Sequence, residues 1–127
     1  MQVDPRIERL AQAIAKAEGF GVPDTVPTLA HNPGDLVIPG WSGPSMGAGI
    51  SVFDDDNTGW QRLYHEIGLI FVGASHVYNL DMTIMQMAEK WTMTDQNAWA
   101  NNVADFLRVN ILTTLRELLQ GEQVSPT

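Results

Sequence analysis

Residues 5–19 read PRIERLAQAIAKAEG, and this stretch predicts the helix around which the rest of the chain is organised. The apolar side chains Ile7, Leu10 and Ile14 recur at the spacing of one helical face. Gly19 follows as a helix-ending residue. The stretch therefore predicts an amphipathic helix whose apolar face lies against the core.

Glu18 is the residue of this helix that needs an explanation. It stands eleven residues after Ile7, about three helical turns, and so continues the apolar face. Burial and the negative end of the helix dipole both disfavour its anion and should raise its pKa, which suits a general acid. The alternative is a Glu18 that bends out to solvent at the helix end.

The composition predicts one globular domain, 1–127, with a core over 4–121 and a polar tail over 122–127. Seven basic against fifteen acidic residues give a net charge of −8, which argues against nucleic-acid and anionic-membrane partners. No apolar run is long enough to span a bilayer, and the charged N-terminus does not resemble a signal peptide. The absence of cysteine excludes thiolate metal sites and cysteine nucleophiles.

Hydrophobic spacing and capping residues predict a mainly helical α+β fold with about five helices and one small β-hairpin. Residues 19–49 are expected to be a long ordered loop, because they hold five of the seven prolines. The hairpin is expected to pair residues 36–38 with residues 50–53 through the glycine-rich turn at 40–49.

The remaining helices are predicted from their first residues. The second should begin after Asp55 or Asp56 and end near Gly73. Capping boxes and a capping aspartate then begin the last three, with the final helix closed by Gly121. These start signals are Thr83 with Gln86, Asp95, and Thr114 with Glu117.

No metal or other cofactor is expected. Asp54, Asp56 and Gly59 begin like a calcium loop, but the twelfth position is His65 rather than glutamate. His65 is followed by a glutamate as in helical zinc motifs, yet Leu69 occupies the place of the second histidine. Ser51 has no pattern of a neighbouring base, so a serine triad has no support.

Several short sequence motifs, in the same order along the chain, resemble those of phage- and bacterial-type muramidase and lytic transglycosylase-like domains of the lysozyme superfamily. That family has a Glu-Gly at the end of its first helix, an Asn-Asn-Pro-Gly-Asn-Leu-like motif, a Phe before a Gly-Trp helix start, and a Thr-Ile helix start. The resemblance covers roughly residues 7–109. The matching motifs are Ala17-Glu18-Gly19, Asn32-Pro33-Gly34-Asp35-Leu36, Val52-Phe53 with Gly59-Trp60, Met82-Thr83-Ile84 and Asp95-Gln96-Asn97.

The resemblance implies a lysozyme-like fold and cleavage of β-1,4-glycosidic bonds in peptidoglycan or chitin, with Glu18 as general acid and base. It also implies a monomer that acts on a polysaccharide of the cell wall, either phage-encoded or part of a larger exported protein. His31 and Asp35 differ from the Asn-Asn-Pro-Gly-Asn-Leu-like motif of the family, which has asparagine at both positions.

Asp35 leaves the reaction type open. If its carboxylate faces the cleft with Glu18, hydrolysis by inversion becomes available, as in two-carboxylate glycosidases. If it caps the turn after Gly34, Glu18 acts alone and the resemblance favours an intramolecular transglycosylase. The sequence favours the turn cap, and hence anhydro products and an active Asp35→Asn variant.

Substrate contacts are expected from aromatic and amide side chains, because sugars present flat apolar faces and amide groups. The alternative for each is core packing, capping or a satisfied loop position. The candidates are His31, Asn32, Trp41, Tyr78 and Asn97.

Two functions from other classes remain at this stage. One is a non-catalytic glycan-binding or assembly module that keeps the fold, and the acidic balance favours it because bacterial walls are anionic. The other is a helical interaction domain in which Glu18 is exposed.

Overall fold

The computed structural model describes residues 3–120, which form six helices and one two-stranded sheet. This confirms a mainly helical α+β class, with one helix more than predicted. Gly121 and the predicted tail lie outside the described residues. In chain order the elements are α1 (Pro5–Glu18), α2 (Val26–Leu29), β1 (Ser45–Met46), β2 (Ile50–Ser51), α3 (Asp56–Phe71), α4 (Ile84–Trp91), α5 (Gln96–Leu107) and α6 (Leu115–Leu119).

Helix α1 is the centre of the fold, because it packs against α3, α5 and α6. Its start is the predicted one: the Asp4 side chain accepts a hydrogen bond from the backbone N–H of Arg6 at 2.8 Å. Gly19 ends it in the left-handed conformation, with φ of 87°. On the apolar face of α1, Leu10 and Ile14 are fully buried in the core, and Ile7 is partly buried against it.

Helix α3 begins where the acids predicted it and ends two residues before Gly73. The Asp55 side chain accepts from the backbone N–H of Thr58 at 2.8 Å, which caps the first turn. The inner face buries Leu63 and Ile67 against α1. None of the helices within residues 3–120 has both the length and the apolarity to cross a membrane.

Both predicted capping boxes are confirmed. Thr83 opens α4 and Thr114 opens α6, each with reciprocal side-chain and backbone hydrogen bonds. The two threonines also form an isolated antiparallel bridge that ties these helix starts together. Asp95 does precede α5, but its side chain makes no capping hydrogen bond, because its own backbone is left-handed with φ of 49°. The predicted cap there is wrong.

The hairpin lies elsewhere than predicted. Strand β2 begins at Ile50 as expected, but its partner is β1, with Ser45 opposite Ser51 and Met46 opposite Ile50. Left-handed glycines in the three-residue turn 47–49 close this short hairpin, which costs less chain entropy than the long turn predicted. Residues 36–38 run beside β2 without a ladder: the Leu36 carbonyl accepts from the Ser51 N–H at 3.0 Å.

The stretch predicted as continuous loop contains a one-turn helix, α2. Thr25 precedes it and Pro27 stands in its first turn, where the missing proline N–H costs nothing. The Thr25 hydroxyl lies 2.9 Å from the carbonyl oxygens of both Gly19 and Val22, and this shared hydrogen bond braces the chain between α1 and α2. This brace sets the direction in which the chain leaves Glu18.

Candidate functional site

The Glu18 carboxyl is partly buried at the end of α1. The indole Nε1–H of Trp99, on α5, donates a hydrogen bond to Glu18 Oε2 at 2.8 Å. Burial raises the pKa of Glu18 to about 7, with a further contribution from the charge of Asp35, while the Trp99 hydrogen bond acts to lower it. Glu18 is therefore protonated in part at neutral pH, and it does not bend out to solvent.

Asn32 organises the turn that follows α2. Its Nδ2 donates to the carbonyls of Leu36 and Ser51 at 2.9 and 2.8 Å, and its Oδ1 accepts from the Leu36 N–H at 2.9 Å. The residue has no exposed surface. The prediction that Asn32 contacts substrate does not fit this geometry, because its amide is buried and bonded to backbone on both sides. Asn32 shapes the turn instead.

Asp35 stands in that turn, after Gly34. Its backbone is left-handed, with φ of 54°, and its N–H donates to the Asn32 carbonyl at 3.0 Å. Among the described residues, Asp35 Oδ1 is the one buried side-chain oxygen that has no hydrogen-bond partner. Burial raises the pKa of Asp35. Capping of the turn is done by Asn32, so the predicted capping role of Asp35 is not what the turn uses.

Two glycines let this turn approach α3 closely. A Cβ at Gly59 would overlap the carbonyl oxygen of His31, and a Cβ at Gly34 would come within 2.7 Å of Leu63 Cδ1. Both glycines are buried. The Asn-Pro-Gly and Gly-Trp motifs of the sequence are thus in contact in the folded protein, and this contact fixes the position of Asp35 relative to the core.

Asp35 lines a cleft of about 340 Å³. Tyr78 and Trp91 supply its aromatic wall, and burial with the charge of Glu66 raises the pKa of Tyr78 to about 12. Glu18 is not among the described residues that line this cleft. The other lining residues are apolar or lie at the rim: Gly34, Leu36, Val37, Ile38, Pro39, Glu66, Ile70, Val77 and Lys90.

A row of aromatic rings connects the cleft to Glu18. The Tyr78 and Trp91 ring centroids lie 5.6 Å apart, and Trp91 stacks on Trp99 at 6.0 Å with an interplanar angle of 28°. Trp91 Nε1–H donates to the Gly34 carbonyl at 3.0 Å. The wall of the cleft, the turn that carries Asp35 and the Glu18 carboxyl are thus joined through two indoles.

Two of the predicted sugar contacts lie apart from the cleft lining. Trp41 is 36% exposed, donates from Nε1 to the Pro44 carbonyl at 2.7 Å and meets Phe53 edge-on at 5.4 Å. Asn97 is exposed near the start of α5, in a separate shallow depression. Neither residue belongs to the lining that Tyr78 helps to form.

His31 serves the turn as well. Its Nδ1 lies 2.8 Å from Asp56 Oδ1 at the start of α3, in an exposed hydrogen bond. Its backbone is left-handed, with φ of 53°. Of the predicted site, the structure thus brings Asp35 and Tyr78 to one cleft, whereas Glu18 lies outside its lining and His31 contacts α3.

Sequence reasoning missed Trp91 and Trp99 as site residues. Both stand on helical faces, where spacing indicates core packing, and Trp99 is indeed only 4% exposed. Their role depends on the indole N–H, and helical spacing contains no information about its partner. Within residues 3–120, no three histidine, aspartate or glutamate side chains come together as ligands for a metal ion.

Comparison of the chain with models of known protein families, with curated proteins and with solved structures found no match.

Proposed function

We propose that this protein cleaves β-1,4-glycosidic bonds in peptidoglycan or chitin, with Glu18 as general acid and base. The observation that carries the proposal is a partly buried helix-end carboxyl whose pKa is raised to about 7, interacting with a second carboxyl that lines a cleft. Two carboxyl groups with different environments are what acid–base cleavage of a glycoside requires.

Glu18 would donate its proton to the glycosidic oxygen as the bond to the leaving sugar breaks. A general acid works best when its pKa is near the working pH, and a value of about 7 meets that condition. The Trp99 N–H at 2.8 Å would then stabilise the carboxylate that remains.

Asp35 would activate the attacking water. Asp35 lines the cleft, its buried Oδ1 has no hydrogen-bond partner, and its charge already acts on Glu18. A second carboxyl group that activates water makes hydrolysis the outcome, as in two-carboxylate glycosidases, in place of the intramolecular transglycosylase reaction. The reaction proposed is therefore hydrolysis, and Asp35 is the residue that decides it.

Tyr78 and Trp91 would provide the platform for the sugar. Both rings line the cleft, next to the apolar side chains of Val37 and Val77. Flat apolar faces of amino sugars pack on such rings, while the Tyr78 hydroxyl offers a hydrogen bond.

The test is Glu18→Gln, assayed by clearance of a purified cell-wall suspension. Glutamine keeps the shape of the side chain but cannot supply the proton, so activity should fall at least ~100-fold. Glu89→Gln, at an exposed position of α4, is the matched control for the loss of one negative charge and should stay active. A Glu18→Gln variant that retained most of the wild-type activity would exclude Glu18 as the acid.

A second candidate is a glycan-binding or assembly module without catalysis. One observation favours it: the cleft lining does not include Glu18. Such a module would be retained on insoluble glycan and release no fragments, and its retention would not depend on the Glu18 proton. Wild-type protein that sediments with cell walls but clears none would support this candidate instead.

A further inference from the structure

The two stacked tryptophans connect the two acids of the proposed site. Trp99 donates its indole N–H to the Glu18 carboxylate, and Trp91 donates its indole N–H to the carbonyl of Gly34, the residue before Asp35. We propose that the Trp91–Trp99 pair is the positioning device that sets the distance between the Glu18 and Asp35 carboxyl groups. This inference rests on the proposed function, in which both acids act on one bond.

Trp99 is the fixed member of the pair. Its side chain is 4% exposed and belongs to the core on the inner face of α5. An indole nitrogen is a donor and never an acceptor, so the bond to Glu18 strengthens when the carboxyl loses its proton. Trp99 thus holds one oxygen of Glu18 in place and stabilises its charged form.

Trp91 fixes the other acid through the backbone. It ends α4, its ring stacks on Trp99, and its N–H reaches Gly34 across the cleft wall. Gly34 and the left-handed Asp35 share one tight turn, so anchoring the Gly34 carbonyl restricts where the Asp35 carboxyl can point. Trp91 would act on the reaction through Asp35, as a positioning residue.

The stack makes the two anchors one unit. The ring centroids are 6.0 Å apart at 28°, and helices α4 and α5 that carry the rings pack directly on each other. A displacement of either acid would require breaking an indole hydrogen bond or sliding one ring over the other. The separation of the two carboxyl groups is thereby tied to the packing of α4 on α5.

Trp99→Phe and Trp91→Phe give opposite expectations for the pKa of Glu18, measured by carbon-13 NMR of its carboxyl carbon without any glycan. Phenylalanine at 99 keeps a ring but removes the donor, so the pKa should rise from about 7 to about 8, since a hydrogen bond to a charged group is worth about one pKa unit or more. Phenylalanine at 91 frees the Asp35 turn and weakens the repulsion between the acids, so the pKa should fall.

A merely structural role predicts a different pattern. Loss of packing admits water and lessens the effect of burial, which would lower the raised pKa of Glu18 in both variants. Trp60→Phe is the matched control, because Trp60 belongs to a separate aromatic cluster, in which it stacks on Tyr64 and meets Phe20 edge-on. Its Glu18 pKa should equal that of the wild type. A pKa that falls or stays constant in Trp99→Phe would overturn the inference, and so would a pKa that stays constant or rises in Trp91→Phe.

The wild-type protein supplies a test that needs no tryptophan variant. The Trp99 indole N–H resonance should titrate with the same midpoint as the Glu18 carboxyl and lose that titration in Glu18→Gln, whereas the Trp60 indole should not follow it. An indole at 99 that ignores pH would overturn the pairing. Because these titrations use no substrate, absence of glycan cleavage beside the expected titrations would reject the proposed function alone.

If cleavage is observed, the pH profile of kcat/KM gives the functional readout. Its alkaline limb reports loss of the Glu18 proton, so that limb should move upward by about one pH unit in Trp99→Phe, as the measured pKa does. If the Glu18 pKa rises in Trp99→Phe but the alkaline limb of its kcat/KM profile does not move, Trp99 does not act on catalysis, and its positioning role is overturned.

Discussion

At the scale of the residue, Glu18 makes the stability of the fold depend on pH. Its pKa is raised from 4.5 to about 7 by burial, so between these values the native state binds more protons than the unfolded chain. Stability is therefore greatest below the unfolded pKa and declines as pH rises through the folded pKa. At about 1.4 kcal/mol per pKa unit, the ionised Glu18 lowers the free energy of unfolding by roughly 2–4 kcal/mol.

Denaturant unfolding of wild type and Glu18→Gln should show this decline directly. The two proteins should be similar near pH 4, and the glutamine variant should become the more stable one as pH rises to 8. The burial of the Asp35 carboxyl is common to both proteins, whereas its repulsion of the ionised Glu18 is part of the difference. A constant difference across this range would mean that Glu18 is solvated in solution.

Asp35 decides the reaction type, and Asp35→Asn tests it. Asparagine tolerates the left-handed backbone at this position, so the fold and its melting temperature should be kept. With no base to activate water, hydrolysis should fall at least ~100-fold. Mass spectrometry of the wild-type products should show the hydrolysed mass. An active asparagine variant that yields anhydro products, lighter by one water, would return Asp35 to a structural role.

The two acids differ in how far the sequence predicts them. The place of Glu18 follows from helical spacing, which is a local property, and the structure buries most of its carboxyl on that face. The position of the Asp35 carboxyl beside the cleft depends on a left-handed backbone and on Asn32, which takes the capping bonds. Nothing in the spacing of residues says which of two neighbouring polar side chains caps a turn.

At the scale of the element, the contact of α3 with the turn before Asp35 depends on a missing side chain. A Cβ at Gly59 would overlap the His31 carbonyl oxygen, which is backbone and cannot rotate away. Gly59→Ala should therefore lower the free energy of unfolding by about 1–3 kcal/mol, despite the better helix propensity of alanine.

Gly68→Ala is the control on the same helix. A Cβ there meets no atom within 4 Å, so alanine should raise stability by about 0.5–1 kcal/mol. Urea unfolding of both variants measures the contrast. If both alanines stabilise the protein to the same extent, the turn does not dock closely on α3 in solution.

The first residues of a helix were predictable from the sequence where a capping box precedes the helix. The capping boxes at Thr83 and Thr114 use residues three positions apart, so the signal lies within a single turn. The hairpin was misplaced and the short helix α2 was missed, because glycine and proline mark turns without saying which segments they join. Pairing of β1 with β2 was decided by loop length.

At the scale of the whole molecule, the net charge of −8 opposes encounter with an anionic cell wall. The screening length shrinks from about 30 Å at 0.01 M salt to about 10 Å at 0.1 M. Added salt should therefore relieve repulsion that acts over the whole surface, while leaving the partly buried contacts around Glu18 nearly unchanged.

Cleavage of intact cell walls should accordingly become faster as salt rises from about 0.01 to about 0.1 M, through a lower KM at unchanged kcat. Cleavage of a short neutral chitin oligosaccharide, assayed in the same buffers, should not respond, because a substrate without charge is not repelled by the acidic surface. The difference between the two substrates separates the electrostatic effect of the net charge from the catalytic chemistry of the site. Wall cleavage that slows steadily with salt would show instead that a local cationic contact, with Lys90 at the cleft rim as the first candidate, captures the anionic wall.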